Sequence, residues 1–209
     1  MTLAAISGAA RACALSVMGG FHPDVGEGIG KTVVMLGPDS GFWPVFTASP
    51  EYRDGVADPL DRWSARVIGA LATGLDAHAV FPFGGPPFQP FIGWAQRTGR
   101  AWQSPVGLLV HDTAGLMVSY RGALVFERHI ALPATGKNPC DGCAAPCRKA
   151  CPVGALGPAG YDVSACKSHI TTTGVDCMNN GCAVRRACPV SQTYARDPAQ
   201  SAFHMRAFA

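Results

Sequence analysis

Eight of the nine cysteines lie between Cys140 and Cys188, and no other feature of the 209-residue sequence restricts its folding as much. Four of them form a run, Cys140-x2-Cys143-x3-Cys147-x3-Cys151-Pro152. The other four, Cys166, Cys177, Cys182 and Cys188-Pro189, are more widely spaced. A segment so dense in thiols organises itself around disulfides or around something that binds sulfur. The cysteine-poor remainder is long enough to build its own core, with hydrophobic residues making up 48% of the chain, so it does not need covalent staples. Cys13 stands apart in an alanine-rich segment and reads as a small buried hydrophobe.

The run is close to the C-x2-C-x2-C-x3-C-P pattern of bacterial two-cluster ferredoxins, in which the fourth cysteine serves the other cluster. One extra residue precedes Cys147. The spacing predicts two [4Fe–4S] clusters. In the crossed arrangement Cys140, Cys143, Cys147 and Cys188 hold one, and Cys151, Cys166, Cys177 and Cys182 hold the other. Prolines after Cys151 and Cys188 fix φ and remove an amide donor, redirecting the chain there. Two zinc sites of four thiolates each, or disulfides, are the alternatives; zinc ribbons place two cysteine pairs about 15–20 residues apart.

Charge follows the cysteines. From Ala134 onward eight Lys and Arg face four Asp, so this part carries +4 and the rest −1. Arg148, Lys149, Arg185 and Arg186 lie between the cysteines, where they can raise a reduction potential, dock an acidic electron donor, or form a solvated face. No run of 18 apolar residues suggests a membrane span. Met1–Gly20 lacks a basic residue ahead of its apolar run, so a first helix is expected in place of a signal peptide, and a cytoplasmic location.

Along the chain, residues 2–18 predict a helix closed by Gly19-Gly20, and Thr32–Leu36 a strand. Asp58-Pro59 opens a helix on which Leu60, Trp63, Val67 and Leu71 recur at helical spacing until Gly74. Ala77–Phe81 predicts a strand, Pro82–Pro90 an irregular segment and Phe91–Thr98 a helix. Strands are expected at Val106–His111, Leu116–Tyr120 and Ala123–Ile130, with Asp112–Gly115 as a hairpin connection. The boundary falls at Leu132–Asn138. The expectation is an α+β chain: a mixed α/β-sheet domain over 1–133, then a small two-cluster domain with a C-terminal tail over 134–209.

Other motifs fail on inspection. Gly26-Glu27-Gly28-Ile29-Gly30-Lys31-Thr32 has Val25 where a phosphate loop needs glycine, and it precedes a strand instead of opening a helix. His111-Asp112 has no nucleophile beside it and reads as structural. Aromatic residues do not interleave with a basic stripe, so nucleic-acid binding has no support.

Two resemblances meet in this chain. From about Ser104 onward it resembles epoxyqueuosine reductase and the reductive dehalogenases. The resemblance rests on the Cys140–Pro152 run, Gly154-Ala155-Leu156 and Asp162-Val163-Ser164-Ala165-Cys166. The first 133 residues resemble CblC-type cobalamin-processing proteins through Gly20-Phe21-His22-Pro23, Asp58-Pro59-Leu60-Asp61, Val80-Phe81-Pro82 and His111 to Pro133, with Tyr120-Arg121-Gly122-Ala123 matching best. These resemblances imply a nitroreductase-like domain followed by a bacterial ferredoxin-like domain. They imply a bound cobalamin, or less readily FMN, and a redox partner protein. Phe81, Pro82, Phe83, Gly84, Gly85 and Pro86 are the expected pocket wall. The implied activity is an oxidoreductase that reduces or processes cobalamin. An electron-transfer module without its own substrate, or a flavin reductase, is the alternative. Two departures stand out. No acid occurs in Phe83–Pro87, where epoxyqueuosine reductase has its catalytic aspartate. Phe81 replaces the histidine of the CblC family.

Overall fold

The structure is a computed structural model, and it describes residues 1–157, 160–172, 176–194 and 196–209. By internal contacts the chain divides into two compact units. One comprises Met1–Arg100 and Ser119–Thr135, the other Ala101–Val118 and Gly136–Ala209. In chain order the first unit supplies α1 (Leu3–Ala12), β1 (Leu15–Phe21), β2 (Thr32–Pro38), α2 (Phe42–Thr47), α3 (Pro50–Arg53), α4 (Pro59–Gly74), β3 (His78–Val80) and α5 (Phe91–Arg97). The second unit then contributes β4 (Ala101–Gln103) and β5 (Leu109–His111), before the chain returns to the first unit for β6 (Gly122–Phe126). The rest is a 3-10 turn (Pro146–Lys149), β7 (Leu156–Gly157), β8 (Gly160–Tyr161), α6 (Val163–Ile170), α7 (Asp176–Asn180), α8 (Ala183–Arg186), α9 (Pro189–Tyr194) and α10 (Pro198–Phe208).

The first unit is built on an open antiparallel sheet of order β1-β2-β6-β3. Its central strands are continuous apolar runs, as strands covered on both faces must be. Every residue of β2 and β6 is buried. Helix α4 starts with Pro59 at its first position and turns Leu60, Trp63, Ser64, Ile68 and Leu71 inward. Asp58 precedes it in a left-handed conformation, φ 52°, and makes no side-chain cap. Trp63 meets Phe42 edge to face at 5.1 Å, and Phe42 stacks on Phe46 at 5.4 Å. Such aromatic pairs bury large apolar areas and add directional contact energy.

Several expectations change. The helix predicted over 2–18 ends at Ala12, because Ala14 takes φ 57° and Leu15–Phe21 pairs with β2. Sheet pairing there outweighs helix propensity. Gly19 (φ 118°) lies in the irregular stretch of β1, where an added Cβ would stand 2.7 Å from the Thr98 Cβ. Leu116–Tyr120 is not a strand. β5 pairs instead with β4, which the residue pattern did not indicate, and His111 forms an isolated bridge with Gly115. The nitroreductase-like plus ferredoxin-like α+β architecture is therefore corrected to a mixed α/β arrangement. Its four-stranded sheet is open, and β5 pairs with β4 in a separate two-stranded sheet. Among the described residues no helix is long and apolar enough to cross a membrane.

Candidate functional site

The second unit carries two cavities walled by cysteine. Around the first, Asn138 Oδ1 accepts the Cys140 amide at 3.0 Å, and the Cys143 amide returns to the Cys140 carbonyl at 3.2 Å. This tight turn puts both thiols on one side. Ala145, at φ 50°, reverses the chain, and its amide donates to Cys143 Sγ at 3.4 Å. The 3-10 turn then presents Cys147, and Cys188 enters immediately before α9. Cys140, Cys143, Cys147 and Cys188 line a cavity of about 40 Å³ together with Ser104, Val110 and Leu116. Cys147 and Cys188 belong to a buried apolar cluster with Val106, Val110, Leu116, Leu156 and Val184.

The second cavity, of about 20 Å³, is lined by Cys151, Cys166, Cys177, Cys182, His169 and Met205, among others. Gly154 takes φ 64° and its amide bonds the Cys151 carbonyl, while the Ala155 amide donates to Cys151 Sγ at 3.2 Å. Cys166 rides on α6, which Asp162 caps by accepting the Ala165 amide at 2.9 Å. Cys177 lies on α7, and Cys182 opens α8. The cavities divide the eight thiols along the lines of the crossed spacing. Each exceeds the roughly 10–15 Å³ that one water needs.

Burial dominates the electrostatics. It pushes the Cys140, Cys147 and Cys177 thiols up, because an apolar wall disfavours the thiolate. Neighbouring thiols in the same set add to the effect, Cys147 and Cys188 acting on Cys140. A bound cation would reverse that preference and hold the thiols ionised. Arg185 lies near Cys182 and Tyr161 and donates to the Leu116 carbonyl, and burial pushes its pKa down. Arg186 pairs with Asp176, whereas Arg148 and Lys149 are exposed. The nine cysteines are all free thiols.

The remaining predicted site residues lie in the first unit. Phe81 and Phe83 stack at 5.1 Å, Gly84 takes φ 82°, and Arg121 sits 5.7 Å over the Phe83 ring. Pro82, Gly85 and Pro86 complete this irregular segment after β3, and none of the six lines either cysteine cavity. His111, expected to be structural, is buried, and its Nδ1 accepts the Thr113 amide at 3.2 Å. Sequence reasoning missed Ser104, Tyr161 and His169. His169 follows Cys166 by three residues on α6, a spacing that shares a helix face and could have revealed it. Ser104 stands far from any cysteine in sequence and gave no signal.

Among the described residues, no group of three or more His, Cys, Asp or Glu is placed to hold a metal ion. The expectation of two [4Fe–4S] clusters is withdrawn on that finding, and with it the iron–sulfur oxidoreductase function. Comparison with models of known protein families, with curated proteins and with solved structures finds no match. The resemblances to CblC-type proteins, epoxyqueuosine reductase and reductive dehalogenases are corrected accordingly. The cobalamin or FMN pocket and the cobalamin reductase activity, which rested on them, are withdrawn too.

Proposed function

We propose that the second unit is a thiol-based binding module, in which each set of four cysteines takes a soft, thiophilic metal. The observation that supports this is the lining of the two cavities: four cysteines around each, with apolar walls and no disulfide. A bound cation would hold the thiols ionised, and its attraction would offset thiolate desolvation. Thiolates select soft or borderline ions over hard ones. The exposed Arg148 and Lys149, next to Cys147, offer a cationic edge to a protein partner.

The test is elemental analysis of the full chain purified without oxygen. Wild-type protein is expected to retain metal, whose identity the analysis reads. Replacing Cys140, Cys143, Cys147 and Cys188 together by serine lowers the content to about half, and the same change in the other set has a matching effect. A metal-free wild-type protein, or a content indifferent to both changes, overturns the proposal.

A further inference from the structure

Each cysteine cavity has a polar side chain in its wall with a buried atom that finds no partner among the described residues. In the first it is Ser104, only 6% exposed, whose Oγ is buried and has no hydrogen-bond partner among the described residues. In the second it is His169, whose Nε2 is buried and equally unpartnered among the described residues. Buried polar groups are normally satisfied, and an orphan in a native fold points to something the protein structure itself does not supply. Two such atoms, one in each cavity, beside the two sets of thiols, mark places where a bound species would complete the hydrogen bonding.

We infer that Ser104 and His169 are contacts to the bound species in their cavities, and that this makes the two thiol sets chemically unequal. The inference rests on the proposed metal binding. A serine hydroxyl is a donor as well as an acceptor. Ser104 therefore donates to a metal-bound thiolate of its set. Neutral imidazole offers Nε2 as a metal ligand or as a donor. His169 follows Cys166 by three residues on α6, so the helix carries thiol and imidazole on one face. The second set thereby gains a nitrogen contact that the first lacks. Partners of this kind hold ligands in place, and their loss costs metal affinity about 10–100-fold.

The experiment maps cysteine alkylation by mass spectrometry on full-length protein purified without oxygen and challenged with a chelator. His169→Ala is expected to speed alkylation of Cys151, Cys166, Cys177 and Cys182 about tenfold, leaving the other four unchanged. Ser104→Ala is expected to act on Cys140, Cys143, Cys147 and Cys188 alone. Circular dichroism checks folding; should His169→Ala misfold, His169→Gln is judged by the same criterion. Wild-type protection that neither change weakens overturns the inference while leaving the metal proposal standing. Wild-type protein with no protection in either set overturns both.

Discussion

The two units hold themselves together by different means. The first has a four-stranded sheet, a 16-residue helix and an aromatic core of Phe42, Phe46 and Trp63. In the second, β7 and β8 have two residues each and α8 has four. Its buried apolar cluster includes Cys147 and Cys188. Hydrophobic burial suffices for the first unit. In the second, thiols share the buried cluster with Val106, Val110, Leu116, Leu156 and Val184, so on the proposed reading part of its cohesion comes from what the cavities bind.

The largest effect is expected from stripping the proposed metal from the second unit. Chelation under reducing conditions should unfold the second unit, on the order of 10 kcal/mol for a small domain held by metal. Hydrogen exchange should then show lost protection in α6 and α10, while β2 and β6 keep theirs. Equal loss in both units would erase the distinction. Truncating the aromatic core tests the other side. Phe42, fully buried, should cost about 3–5 kcal/mol on change to Ala, read by denaturant unfolding of the first unit. Metal content should stay unchanged in the protein that remains folded.

A smaller effect is expected at Arg121, which is mostly buried; its guanidinium reaches Asp61 and donates to Ser64 Oγ at 3.1 Å. Asp61→Ala strands that charge, and the loss should be about 1–3 kcal/mol. The smallest is an acid effect on the first unit. Hydrogen bonds from Arg97 hold Glu27 down at about 2, and those from Arg66 do the same for Glu51, against 4.5 for a free glutamate. A carboxylate lowered in the fold stabilises it above its unfolded value. That contribution is lost as pH falls from 4.5 toward about 2. The melting temperature should drop across that window, less steeply in Glu27→Gln and Glu51→Gln.

Legibility in the sequence also differed between the units. Elements set by local pattern were readable: α4 from Asp58-Pro59 and its apolar spacing, and β2 from its β-branched run. Elements set by distant partners were not. β1 hides in an alanine-rich stretch that favours helix, and β4 is three residues long and pairs with β5. Nor did composition show that Ala101–Val118 packs with the cysteine-bearing unit while Ser119–Thr135 returns to the other. The spacing of the cysteines matched their division between the two cavities. Ser104 was not legible, because only the folded chain brings it to the cavity of Cys140 and Cys188.

Native mass spectrometry of the full chain, purified and sprayed without oxygen, reads directly whether the two cysteine sets hold metal. A mass above that of the 21.7 kDa polypeptide is expected. Part of the surplus should disappear when Cys140, Cys143, Cys147 and Cys188 become serine, and the rest when Cys151, Cys166, Cys177 and Cys182 do. A bare polypeptide mass, with all eight cysteines open to alkylation, would contradict metal binding by the two sets.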